Sequence, residues 1–199
     1  MLRPTAPAPL RETGRGGSGL LAVLLGLGFA LAVGARVAVG GSGPARSPAA
    51  GLVFAGLLVL MALAARTRVP ISVSAATWGV AGAVLLSAPV ALMRIGRPMH
   101  AAAGFASWAV VVAVVATAEE LFLRGALYDA VRTAVDERAA IVAGAVGFAA
   151  LHVPLYGWHV VPLDLIVGLV LGELRRASGT PAAPAVTHVG ADLAAWFLR

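Results

Sequence analysis

Cysteine is absent from the 199-residue chain. That excludes disulfides, a thiolate metal site and a cysteine nucleophile. Lysine is absent too, so all 15 basic side chains are arginines. Charge of either sign is scarce, at 12% of residues against 60% hydrophobic, and the mean hydropathy is +0.92. A soluble domain of this length would be about 45–50% apolar and about a quarter charged. The composition is that of an integral membrane protein, and the length fits one compact helical bundle. The net charge of +6 invites a nucleic-acid reading. No basic run interleaves with aromatics as such binding requires, so nucleic acid is not expected as a partner. The Ala, Gly, Val, Arg and Pro bias points to a GC-rich bacterial genome, and so to a bacterial plasma membrane.

Residues 1–18 (MLRPTAPAPLRETGRGGS) are polar, rich in Pro and Gly, and basic. They read as a disordered cytoplasmic tail. Residues 19–199 read as a transmembrane bundle. Apolar runs predict about seven helices, at 19–40, 50–65, 70–93, 101–131, 139–157, 161–175 and 182–198, most near the ~20 residues a bilayer needs. The first run is long for a signal-peptide core and no cleavage site closes it. Within it, Gly26, Ala30 and Gly34 are spaced to let a neighbouring helix approach closely. The fourth run is too long for one span and is expected to bend or to leave the bilayer. Breaker-rich loops separate the runs (GSGPARSPA, RTRVP, RIGRPMH, ASGTPAAP). No internal repeat is present, which argues against a small transporter built from paired broken helices.

Arginines set the expected orientation. With the N-terminus inside, nine fall in cytoplasmic segments: Arg3, Arg11, Arg15, Arg66, Arg68, Arg132, Arg138, Arg175 and Arg176. Four fall outside: Arg46, Arg94, Arg97 and Arg199. The balance favours N-in, C-out.

Three polar clusters lie at membrane depth, where ionisable groups are costly and usually face a bundle interior or a wet cavity. In "ATAEELFLRGALY" (116–128), Glu120 and Arg124 are i,i+4 neighbours and can pair. Glu119 points about 100° away and is left available. A structural ion pair would need one glutamate, not two. In "FAALHVP", Phe148 and His152 share a helix face. In "THVGAD", His188 and Asp192 are again i,i+4. Taken singly, each could be a packing or stapling feature. Their depths agree, however: Glu119 lies 13 residues from Arg132 and His152 lies 14 from Arg138, roughly 20 Å in at ~1.5 Å per residue. His188 and Asp192 lie a little shallower. His100 and His159 read as interfacial and take no role.

A glutamate in a poorly solvated cavity is a useful general base. Paired with an imidazole it can activate water, while a second histidine stabilises an oxyanion. Glu119, His152 and His188 could instead hold a divalent metal such as zinc. A metal-free mechanism is equally open. There is no His-Glu-x-x-His zinc signature, and no serine has a matching base.

The ordered set Glu-Glu-x-x-x-Arg, Phe-x-x-x-His, His-x-x-x-Asp resembles the CPBP intramembrane proteases, which include CAAX-prenyl endopeptidases and bacteriocin-processing or self-immunity proteins. The resemblance spans about residues 114–193. It implies an all-helical membrane fold and peptide-bond hydrolysis, with a peptide or membrane-protein substrate and membrane lipids as the surroundings. By the same resemblance Glu119 and His152 would activate water, Glu120 and Arg124 would hold the geometry, and His188 and Asp192 would stabilise the oxyanion. Asp192 must then be protonated, orient His188, or help bind a metal, because an ionised carboxylate cannot donate a hydrogen bond. The alternative from another class is a non-catalytic membrane binding or bacteriocin-immunity protein that retains the motif site.

Overall fold

Short polar residues and glycines set the helix boundaries. In the computed structural model, residues 12–40, 47–95 and 102–198 are described. Helix α1 spans Glu12–Gly40 and α2 Pro48–Ala64, the latter capped by Ser47, whose hydroxyl accepts from the Ala50 N–H at 3.1 Å. Pro48 takes the first helical position, where its missing N–H costs nothing. Helix α3 (Val73–Met93) is capped in the same way by Ser72. Helix α4 runs unbroken over Phe105–Ala134 but is not uniform: Leu121–Leu127 is a π-helical segment. Asp136 caps α5 (Glu137–Tyr156) by accepting from the Ala139 N–H at 2.7 Å. A single 3-10 turn at Trp158–Val160 leads into α6 (Val161–Ser178), and α7 spans Ala182–Leu198. Helix α6 stops at Gly179, whose φ of 72° suits a residue without Cβ.

Every regular element among the described residues is helical, as the sequence leads one to expect. Gly16–Gly40, Val73–Met93, Phe105–Ala134 and Glu137–Tyr156 are long and apolar enough to cross a membrane, and α2 is apolar but shorter. The protein is thus a polytopic integral membrane protein. The long fourth run is accommodated by the π segment within one continuous helix. Residues 12–18, expected to belong to the tail, are already helical; residues 1–11 lie outside those described, as does His100.

Helix α4 is the axis of the bundle, touching α1, α2, α5, α6 and α7. Phe29 of α1 stacks on Phe122 of the π segment, centroids 5.2 Å apart, beside buried Phe54, Leu58, Leu123 and Leu151. Glycines bring two further helix pairs into close contact. A Cβ on Gly168 of α6 would stand 2.7 Å from the Ala145 Cα of α5. On α3, Gly79 meets α7, and the Thr187 hydroxyl donates to the Gly79 carbonyl at 2.9 Å.

One packing expectation is overturned. Gly26, Ala30 and Gly34 are exposed, and nothing lies within 4 Å of a Cβ at either glycine. Helix α1 packs inward through Leu25, Phe29 and Ala32 instead. Leu25 and Phe29 cover the aromatic layer around Phe122, and the close approach falls at Gly28 instead, where a Cβ would stand 2.8 Å from Met61 Sδ. The small-residue stripe is left facing lipid.

Candidate active site

The π segment begins immediately after the two glutamates. π-turns inside α-helices are frequent at functional sites, and this one carries Arg124 in a fully buried position. Its Nη1 donates to Glu120 Oε1 at 2.8 Å, its Nη2 donates to the Gly168 carbonyl at 3.1 Å, and its guanidinium lies 5.1 Å over the Phe148 ring. The absence of a side chain at Gly168 lets α6 bring that carbonyl within reach. Glu120 is wholly buried, and the same Oε1 accepts from His188 Nδ1 at 3.0 Å. One carboxylate oxygen therefore ties α4 to α7. The other, Oε2, is buried without a hydrogen-bond partner among the described residues.

His188 stands between two carboxylates. With Nδ1 turned to Glu120, its Nε2 faces Asp192 Oδ2 at 3.5 Å. Asp192 is the open side of the cluster: its side chain is 40% exposed, against 8% for His188. His152 turns its Nδ1 to the Phe148 carbonyl at 3.0 Å, with Asp164 Oδ2 of α6 at 3.4 Å from the same nitrogen. A carbonyl can only accept, so Nδ1 carries the proton and Nε2 is the free lone pair. Phe148 sits at the hub, its ring centroid 4.6 Å from that of His152 and 5.2 Å from that of His188.

Glu119 is buried and lies within electrostatic reach of His188, Asp192 and Glu120. It makes no hydrogen bond to the Glu120–Arg124 pair. Its ionic partner is Arg36 of α1, with Nη1 3.6 Å from Oε1 and the guanidinium 4.9 Å over Phe54. The structure thus links Glu120, Arg124, Phe148, His152, His188 and Asp192 through direct contacts, whereas the close contact of Glu119 is with Arg36. It adds three residues that sequence reasoning passed over. Arg36 was a detectable signal, a lone arginine inside an apolar span. Asp164 stood too close to a helix end to be read as part of the site. Arg175 was counted among loop arginines, yet it is mostly buried. Its Nε donates to the Arg124 carbonyl at 2.8 Å and its Nη2 to Asp129 at 3.0 Å, bracing the π segment from behind.

The donor set bears on the metal question. Among the described residues no three His, Asp or Glu side chains are grouped closely enough to hold a metal ion. With Nδ1 of His152 and His188 turned to oxygen partners, Nε2 is the ring nitrogen that either imidazole would offer to a ligand. In this arrangement Glu119, His152 and His188 are not grouped as a ligand set.

Comparison with curated proteins and with solved structures found no match. A family model did match: residues 101–194, the stretch that builds α4 to α7, fit the description "Type II CAAX prenyl endopeptidase Rce1-like". At the level of that family the activity is that of a CAAX-type intramembrane protease, a hydrolase acting on a peptide or protein substrate. The resemblance carried by the three motifs agrees with this match, so residues 101–194 of this membrane protein are similar to the Rce1-like type II CAAX prenyl endopeptidases.

Proposed function

We propose that the protein is an intramembrane endopeptidase in which Glu119 and His152 activate water against a peptide carbonyl. The observation that carries this reading is the meeting at Phe148, where His152 of α5, His188 of α7 and Arg124 of α4 all contact one ring. A ring so placed fixes the imidazoles relative to the glutamates without occupying their polar atoms.

The Glu119 carboxylate takes one proton of the attacking water, while His152 Nε2 accepts a hydrogen bond from its other O–H and orients it. As its oxygen bonds to the carbonyl carbon, the carbonyl electron pair moves onto oxygen. That oxyanion is met by His188, doubly protonated and held by Glu120 through Nδ1, so that Nε2–H is the donor. Asp192, 3.5 Å from the same Nε2, balances the charge of the imidazolium at rest and yields that N–H to the oxyanion. Collapse breaks the C–N bond, and the proton held at the glutamate passes to the leaving amine. Arg124 keeps Glu120 in place, and Asp164 steadies His152 from the α6 side. Buried charge-assisted contacts of this kind are rigid, which suits a site that must hold two imidazoles in register.

The test is cleavage of a peptide library by the purified full chain in lipid. Glu119→Gln is expected to lower turnover by at least ~100-fold, the usual scale of a general base, while melting stays near wild type. Asp192→Asn retains most activity, since the donor to the oxyanion is the His188 Nε2–H. A chelator should leave the wild type active. Glu119→Gln as active as the wild type would sink the proposed base. Chelator-induced loss restored by zinc would replace the metal-free mechanism.

A further inference from the structure

Away from the site, at the end of the bundle where α2 and α4 finish, a pocket of about 320 Å³ opens between α1, the α2–α3 connection and α4. Arg66, Arg68 and Arg132 line it, with Asp129 the one acidic member. Asp129 is engaged by Arg175 at 3.0 Å and more loosely by Arg132 at 3.9 Å. Among the described residues no ion pair is formed by Arg66 or Arg68, so the pocket has an excess of cationic donors.

Two details show that the pocket is built rather than incidental. Helix α2 ends in a six-residue hydrogen-bonded turn: Thr67 N–H donates to the Ala62 carbonyl at 3.0 Å and Arg66 N–H to the Leu63 carbonyl at 2.9 Å. The left-handed residue of such a turn is ordinarily glycine. Here it is Arg66, at φ 55°, the one positive-φ residue other than glycine among those described. A strained arginine persists where its side chain has a use in that place. Next to it, Thr67 also lines the pocket, and its Oγ1 is buried with no hydrogen-bond partner among the described residues. Gly125 makes room for this threonine, since a Cβ there would come within 2.5 Å of the Thr67 Cγ2.

We propose that this pocket binds the phosphate of an anionic phospholipid headgroup. Guanidinium groups match phosphate oxygens in fork geometry, and basic pockets between helix ends are where acidic headgroups dock. The source is a lipid rather than free phosphate because the pocket is continuous with a lipid-facing wall. Leu21 lines it, and exposed Leu20, Leu24, Leu27 and Leu31 run from it along α1, a track for the acyl chains.

The test uses the purified full chain in detergent, titrated with phosphatidylglycerol, phosphatidylcholine or inorganic phosphate. Melting temperature and retained lipid by native mass spectrometry are the readouts. Wild type is expected to retain phosphatidylglycerol and to melt higher with it, and to respond little to the other two. Arg66→Gln/Arg68→Gln should bind phosphatidylglycerol about tenfold more weakly or worse. Arg138→Gln, which removes one positive charge outside the pocket, should bind like wild type. Arg66→Gly guards against a misfolded double variant: it removes the charge and the strained conformation together. It should melt at or above wild type without lipid, yet gain less from phosphatidylglycerol. Equal affinity in the double variant, equal loss in Arg138→Gln, or an undiminished gain in Arg66→Gly would overturn the proposal. Equal stabilisation by phosphatidylcholine would overturn it too, and by inorganic phosphate would remove the lipid as the source.

Discussion

Helices α1 and α3 and helices α4 and α5 are all long enough to span a bilayer, but they are built on opposite terms. In their most apolar windows only 17% and 11% of the residues of α1 and α3 are buried, against 33% and 44% for α4 and α5. The first pair meets lipid over most of its circumference, and its sequence is correspondingly uniform and greasy. The second pair buries glutamate, arginine and histidine among close helix contacts. Polarity is concentrated where protein, not lipid, surrounds it, as the cost of bare charge in hydrocarbon requires. The lesson is that hydrophobic length identifies the spans, whereas the polar residues identify which spans face one another. Arg36 is the exception that links the halves, since a lipid-facing helix reaches into the site through one side chain.

The comparison can be broken most severely at Arg124. Arg124→Ala leaves Glu120 buried with only His188 for a partner, and breaking a buried pair from one side costs about 3–5 kcal/mol. Reversible unfolding in mixed micelles should show that loss; an unchanged midpoint would mean the pair is not structural. Next comes Gly168→Val, which drives α6 away from Ala145 and withdraws the carbonyl that holds Arg124. Overpacking of this kind costs about 1–3 kcal/mol, and cleavage should fall with it. Arg36→Gln sharpens the contrast between halves. Its contact with Glu119 is long at 3.6 Å and Arg36 keeps some exposure, so melting should move less than in Gly168→Val. The rate of cleavage should change more than stability does, because the altered group faces the proposed base. The smallest effect is expected at Gly34→Val on the lipid-facing stripe, within about ±0.5 kcal/mol. A large loss there would show that α1 has a helix neighbour on that face.

Much of this arrangement was legible before any coordinates. The pairing of Glu120 with Arg124 follows from i,i+4 spacing, and Phe148 and His152, or His188 and Asp192, share faces for the same reason. Spacing fixes what is adjacent along one helix. It does not fix the rotation of one helix against another, and there the sequence reading ran out. Spacing pairs His188 with Asp192 but is silent about Glu120 of another helix, which makes the shorter contact. Arg175 was read from its place near a helix end as a marker of topology, and turns inward because Asp129 and the Arg124 carbonyl lie on that side. The stripe of Gly26, Ala30 and Gly34 has the spacing of an interface but faces the wrong way. No pattern within α1 alone could have revealed that.

The π segment has a consequence for how this protein tolerates changes in chain length. A π turn accommodates roughly one residue more than an α turn, so Leu121–Leu127 acts as a phase shifter in the middle of α4. Upstream, the helix presents Glu120 to His188 and Glu119 to Arg36. Downstream, it presents Asp129 to Arg175 and Arg132 to the basic pocket. Removing a single residue between Leu121 and Leu127 would let the helix relax to regular winding with its two ends close to their present phase. A deletion in the α-helical turns on either side would instead swing one end by about 100° relative to the other. Either the glutamate face or the basic end would then point elsewhere. A frame-preserving deletion that is harmless in a loop would here uncouple two regions of the molecule, although every side chain named above could remain present.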